Sequence, residues 1–312
     1  MEDRYQRNIT YLRLSVTDRC NLRCRYCMPA EGVYKKDRRD ICSAEELVEI
    51  AAAAADCGVT KVRLTGGEPL ARRGILDICR GVAALAGVRE LCMTTNGLLL
   101  PQMAEDLRRA GVDRLNISLD TLRPPRYAEI TRGGRLEDAL AGIRAAGAAG
   151  FPDIKLNVVL MKGFNDDEIR DFAALTAERP LEVRFIELMP IGQGTAESYL
   201  PAQAVLDACP ELEPVDVGGV AARYRLPGAR GLVGLIQPMS HRFCAACDRI
   251  RVTADGRLKP CLHSGQEIPL RGLHGEDLRA AIRAGVEAKP LRHRLAETGH
   301  SGALRNMNEI GG

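Results

Sequence analysis

The pattern that most narrows the fold is a strict alternation of short apolar strands with helices over the first two-thirds of the chain. Strand candidates are Tyr11–Val16, Lys61–Leu64, Glu90–Thr94, Arg114–Ser118, Lys155–Leu160 and Glu182–Glu187. Between them Ser43-Ala44-Glu45-Glu46 reads as a capping box, in which Ser43 and Glu46 satisfy each other's orphan amides, opening a helix that ends near Gly58. A second helix, Pro101–Ala110, is stopped by Gly111, and Glu137–Ala149 and Asp167–Glu178 supply two more. Strand–helix–strand repeats leave the strands parallel and cross over right-handed. About six units fall short of the eight that close a barrel. The expectation is therefore an α/β fold: a partial, open β/α barrel of the TIM type over residues 1–200. After Pro190 the character changes to a short helix at Pro201–Ala208, a Gly-rich hairpin at Ala222–Ile236, and a Cys-bearing, charged stretch. Residues 201–312 are expected to form a C-terminal region of their own.

Reactive groups of such folds sit at the C-terminal ends of the strands. The informative residues fall there. Cys20–Cys27 follows the first strand, Thr65-Gly66-Gly67-Glu68-Pro69 the second and Thr94-Thr95-Asn96-Gly97 the third. Ser118-Leu119-Asp120 closes the fourth, and Glu187-Leu188-Met189-Pro190 follows the sixth. Several loops converging on one rim predict a single site. Bulk charge is nearly balanced, with 44 basic and 41 acidic residues, which argues against a protein that coats nucleic acid or membrane. The charge-free stretch Leu91–Ala104 contains Gly97 and Pro101, whereas a spanning helix needs about 20 apolar residues. The N-terminus shows no apolar leader core, so a cytoplasmic protein is expected.

Eleven cysteines are many for a reducing compartment, where disulfides are not expected. Cys20, Cys24 and Cys27 have spacing C-x3-C-x2-C, and Cys244, Cys247 and Cys261 have C-x2-C-x13-C. Each triad is one ligand short of a structural zinc site. A zinc ion borrowing a distant ligand, His241 or His263 for the second triad, is one reading. The other is a cubane iron–sulfur cluster with one open iron, where chemistry can occur. Arg249 and Arg251 flank Ile250, so in an extended segment both face one way and suit an anionic substrate such as a triphosphate.

The C-x3-C-x2-C loop after the first strand resembles the radical SAM superfamily, and Gly66-Gly67-Glu68-Pro69 resembles its GGEP motif. The resemblance implies a 4Fe–4S cluster on Cys20, Cys24 and Cys27. Its open iron chelates S-adenosylmethionine (SAM), and one electron releases a 5′-deoxyadenosyl radical. Tyr26, Gly67, Ser118 and Met189 match positions that contact SAM. The stretches DRCNLRCRYCMP, TGGEPL, TTNG, NISLD, KLNVVLMKGFND, RFIELMP, FCAACDRIRVTADGRLKPCL and MNEIGG together resemble one branch, the MoaA family of GTP 3′,8-cyclases.

That resemblance implies a second 4Fe–4S cluster on Cys244, Cys247 and Cys261, with GTP between the two clusters. Arg13, Arg63, Thr94, Lys155, Arg249, Arg251 and Thr253 would contact GTP. The Gly311-Gly312 tail would enter the active site, where only residues without side chains could thread a packed cavity. The implied reaction joins ribose C3′ to guanine C8 in the first step of molybdenum cofactor biosynthesis. The implied partners are a flavodoxin- or ferredoxin-like reductant, a MoaC-like enzyme that takes the product, and a second copy of the chain in a homodimer.

Overall fold

The computed structural model describes residues 1–33, 36–215 and 219–311. Six strands follow the alternation: β1 (Tyr11–Ser15), β2 (Lys61–Thr65), β3 (Glu90–Thr95), β4 (Arg114–Ser118), β5 (Lys155–Leu160) and β6 (Glu182–Glu187). They pair in order and all parallel. The capping box is formed as expected, with Ser43 Oγ accepting from Glu46 N and Glu46 from Ser43 N, and it starts α1 (Ala44–Asp56). The linking helices are α2 (Ile75–Ala83), α3 (Leu100–Arg109), α4 (Pro124–Thr131), α5 (Leu136–Ala148) and α6 (Ile169–Glu178). Helices α2 and α4 escape the sequence reading.

Beyond α7 (Gln203–Ala208) come β7 (Glu213–Val215), β8 (Ala222–Arg225), β9 (Leu232–Ile236), β10 (Arg249–Val252), β11 (Arg257–Lys259) and β12 (Ile268–Pro269). The expected hairpin is β8–β9, but β9 also lies parallel to β6, while β10 lies parallel to β1. The C-terminal region thus adds one parallel strand to each edge of the six. The order β12-β11-β10-β1-β2-β3-β4-β5-β6-β9-β8-β7 does not close on itself, so the sheet stays open. Neither added strand follows the strand–helix rhythm, which is why counting units along the chain finds six.

Alternation along the strands sorts their two faces. Leu12, Leu14, Val62, Leu64, Leu91 and Met93 are buried in one continuous core with Leu47, Ile50 and Ile78 of the helices. Fully burying one such side chain contributes roughly 1.5–3 kcal/mol. The opposite face carries Tyr11, Arg13, Lys61, Arg63, Thr94, Asn116, Lys155 and Arg184, matched in register from strand to strand. This inner face is polar and cationic. Helix α8 (Gly275–Glu287) packs on α1, and α9 (Leu295–Thr298) and α10 (Met307–Ile310) complete the tail. Among the described residues no helix is long and apolar enough to cross a membrane.

Candidate active site

The chain leaves β1 through Thr17-Asp18-Arg19 and reaches Cys20, while the Gly-Gly loop leaving β2 lies directly on that segment. Gly67 N donates to Thr17 O at 2.8 Å and Glu68 N to Arg19 O at 2.8 Å. A Cβ on Gly67 would stand 2.3 Å from Arg19 O, and one on Gly66, at φ +151°, would stand 2.5 Å from Thr17 O. The two glycines are therefore required by backbone-to-backbone approach. Glu68 holds the next loop. Its Oε1 accepts from Leu70 N at 3.0 Å and Thr95 Oγ1 at 2.7 Å, and its Oε2 accepts from Asn96 N at 2.8 Å. Burial pushes this carboxyl up to about 7 against those hydrogen bonds.

One cavity of about 220 Å³ opens below these loops, lined by Cys20, Cys24, Tyr26, Cys27, Gly67, Thr94, Ser118, Met189 and Arg251. Nine of the residues singled out from the sequence thus meet there. The reading missed Asp120 as a positioning group and Asn157 as a wall residue. Tyr26 donates its hydroxyl to Asp120 Oδ2 at 2.8 Å, and Val159 N donates to Asp120 Oδ1 at 2.9 Å. Burial raises Asp120 to about 6. Burial also pushes the thiols up, Cys20 to about 11 and Cys27 to about 12, so the unmetallated triad is protonated and loading it must release protons. Behind Met189, the buried Glu187 accepts from Ala202 N, Met239 N and Ser240 N at 3.0, 2.9 and 2.9 Å, pinning the loops that cover this side.

Deeper in the barrel lies the cationic column. Arg63 donates through Nε to the Tyr11 hydroxyl at 2.5 Å and through Nη1 to Met93 O at 3.0 Å. The Arg249 guanidinium lies 5.6 Å from the Tyr11 ring centre and 5.6 Å from that of Phe243. Burial lowers Arg13 to about 10 and Arg251 well below the usual arginine range, with the neighbouring guanidiniums adding to both. Burial opposes ionisation of Tyr11, but Arg63, Arg13 and Arg249 together outweigh it and bring the phenol from 10.0 down to about 8. The folded form therefore favours the phenolate, and the stabilisation it adds grows as pH rises from about 8 towards 10. A spectrophotometric titration is expected to show one tyrosine ionising near 8. That step should disappear in Tyr11→Phe; if it persists, another tyrosine carries it.

Of the predicted nucleotide contacts, Thr94 and Arg251 line the cysteine cavity, Arg13, Arg63 and Arg249 stand in the cationic column, and two lie elsewhere. Thr253 is fully buried, and its hydroxyl donates to Asp255 Oδ1 at 2.6 Å and accepts from Arg257 N at 3.0 Å, so it builds the β10–β11 turn. Lys155 sits at the opposite end of the barrel, lining a second cavity with Arg114, Glu182 and Arg223.

The tail returns to the mouth. Asn308 Nδ2 donates to Asp18 O at 3.1 Å, and Arg251 Nη1 donates to Gly311 O at 2.7 Å. A Cβ on Gly311, at φ +84°, would stand 2.3 Å from Thr65 Oγ1. Gly312 lies outside the described residues. Upstream, Arg305 binds both Asp255 and Glu267, at 3.0 and 2.6 Å, anchoring the tail to the β10–β12 edge.

The second triad gathers near β10. Burial raises the Cys261 thiol, and Cys247 and Cys244 beside it raise it further. Buried Lys289 donates to Arg249 O at 2.7 Å and Pro260 O at 3.0 Å, tying the strand to the segment before Cys261. His263 packs on His293, with ring centres 4.8 Å apart, and its Nδ1 is 3.2 Å from Ser301 Oγ. His241 is exposed.

An open barrel with a three-cysteine loop on its first strand and a Gly-Gly loop on its second defines a class. Residues 14–176 match the Radical SAM superfamily, so the chain is a radical SAM enzyme. Residues 181–295 match Molybdenum Cofactor Synthesis C. A GTP 3′,8-cyclase of Pelotomaculum thermopropionicum is 50% identical over 328 residues, spanning 100% of both chains. One of Alkaliphilus metalliredigens is 48% identical over 320 residues, again spanning 100% of both. The chain belongs to the GTP 3′,8-cyclase family. Among solved structures, Streptococcus suis SuiB bound to S-adenosylmethionine has a TM-score of 0.61 at 16% identity. It covers 89% of this chain and 68% of that one, and bears on the fold alone.

Membership implies a 4Fe–4S cluster and SAM, and the first site fits them. Three unbridged thiols line one cavity together with Gly66 and Gly67, which present no side chain to it. Among the described residues no three His, Cys, Asp or Glu side chains close on a single metal ion.

Proposed function

We propose that the chain converts GTP to (8S)-3′,8-cyclo-7,8-dihydroguanosine 5′-triphosphate, with GTP lying between the first cluster and a second 4Fe–4S cluster on Cys244, Cys247 and Cys261. The observation that carries this reading is the position of Arg251. It lines the cavity of the first cysteine triad, adjoins Arg13 and Arg249, and holds the Gly311 carbonyl. When bound, the cluster and SAM supply the one-electron chemistry that removes the ribose 3′ hydrogen.

The chain's own residues do the rest. Arg13, Arg63, Arg249 and Arg251 receive the triphosphate and hold the ribose against the SAM cavity. Tyr26, fixed by Asp120, meets the adenine of SAM. The tail and the Glu187-pinned loops exclude water and oxygen from the reacting carbon. Cys244, Cys247 and Cys261 would hold the second cluster, whose open iron would take the guanine. A low-potential flavodoxin- or ferredoxin-like protein supplies electrons, a MoaC-like cyclic pyranopterin monophosphate synthase takes the product, and the enzyme works as a cytoplasmic homodimer.

The deciding experiment is anaerobic turnover of reconstituted protein with SAM and a low-potential reductant, with and without GTP. 5′-Deoxyadenosine should rise with GTP and match a cyclised nucleotide. Equal SAM cleavage without GTP, and no nucleotide product, would keep the radical machinery and reject the substrate. Arg249→Ala and Arg251→Ala should each weaken GTP binding by about tenfold or more, since a hydrogen bond to a charged group contributes about 1.5–3 kcal/mol. Iron and sulfide content should stay at the parent level; a loss of iron would reassign these arginines to cluster support.

A further inference from the structure

The far end of the barrel holds a buried charge knot that the cysteine cavity does not reach. Glu182 Oε2 accepts from Lys155 Nζ at 2.7 Å, and its Oε1 accepts from Arg184 Nε at 2.7 Å and Arg223 Nε at 3.1 Å. The Glu182 and Lys155 side chains are 7% and 9% exposed, and those of Arg184 and Arg223 16% and 17%. One carboxylate thus faces three cations, which stay in excess. In register, Gly234 stands between Arg184 and Arg223, and a Cβ there would lie 2.9 Å from Glu182 Oε1. The sheet therefore leaves room at this point for the carboxylate.

The knot borders the cysteine cavity in register, because Arg184 on β6 pairs with Asn157 on β5, which lines that cavity. It is also at a defined depth. Asn157 lines the cysteine cavity, and Lys155 is two residues earlier on the same face of β5, roughly 7 Å deeper.

Resting on the GTP reading above, we propose that Glu182 is a positioning residue for the terminal phosphate. It gathers Lys155 and Arg184 of the barrel with Arg223 of the hairpin into one fixed floor, which selects a nucleoside triphosphate over a diphosphate. Three like charges this close spread apart unless an anion sits among them. Without Glu182 they are not arrayed when the substrate arrives, and only a ligand long enough to reach the floor feels the difference.

The test compares dissociation constants for GTP and GDP on the full, cluster-loaded chain under anaerobic conditions. Glu182→Gln should weaken GTP about tenfold and leave GDP within about twofold, and Glu182→Asp should recover most of the GTP affinity. Arg223→Gln keeps the Glu182–Lys155 pair and should show the same split, so the comparison survives if Glu182→Gln does not fold. Equal weakening of both nucleotides, or no weakening of either, overturns the proposal and leaves the cyclase reading intact. If the parent protein yields no cyclised product from GTP in the turnover assay, the cyclase reading itself fails.

Discussion

Gly67→Ala is expected to leave a folded barrel that no longer cleaves SAM. The new Cβ would sit 2.3 Å from Arg19 O and 2.9 Å from Asp18 O, both backbone atoms with no rotamer to change. Relief must come from sliding the Gly-Gly loop or the segment that carries Cys20. Either movement breaks the Gly67–Thr17 and Glu68–Arg19 hydrogen bonds that set one loop on the other. A displacement of about 1 Å in such a site costs on the order of 100-fold in rate, and here it strikes the cysteine loop and the SAM loop together. 5′-Deoxyadenosine formation should therefore fall by at least about 100-fold. Far-ultraviolet circular dichroism should be unchanged, because the strands and core lie below the clash. Near-parent SAM cleavage in this variant would show that the loops are not packed as described.

Gly311→Ala should separate two activities. Its Cβ would meet Thr65 Oγ1 at 2.3 Å and Ser15 Cβ at 3.1 Å, and its φ of +84° is one that L side chains rarely adopt. Strain of that kind costs of order 1–3 kcal/mol even before the clash. The tail must lift, and the Gly311 carbonyl leaves Arg251. Asn308 keeps its bond to Asp18 O, so the lift is confined to the residues after it, and iron content and SAM binding should hold. Cyclised product per 5′-deoxyadenosine formed should fall by about 100-fold, as expected for a reacting group left unpositioned. Thr65→Ala removes the nearest clashing atom, so the double variant should recover part of the coupling. Full coupling in Gly311→Ala alone would mean that the tail does not work from inside the barrel.

The sequence was most legible where chemistry is local in the chain. The Cys20–Cys27 spacing, the Gly66-Gly67 turn and the Ser43–Glu46 capping box each lie within a few residues, so composition and spacing specify them directly. The six barrel strands are readable for the same reason: apolar residues alternate and glycines or caps bound each unit. Legibility failed at α2 and α4, at β10, and at the parallel pairing of β9 with β6, since neither late strand belongs to a strand–helix unit. Thr253, which the resemblance places close to the nucleotide, has its hydroxyl engaged in its own turn, a contact that spacing along the chain does not reveal.

The sequence by itself therefore determined an open β/α barrel, two cysteine triads and a side-chain-free tail, because periodicity, ligand spacing and glycine are properties of short segments. The tertiary structure decided which of these meet. It put Arg251 between the cysteine cavity and Gly311, and sent Lys155 to the far floor with Glu182, Arg184 and Arg223. Those contacts depend on strand register and on which edge each late strand joins, and register is set by pairing between segments far apart in the chain.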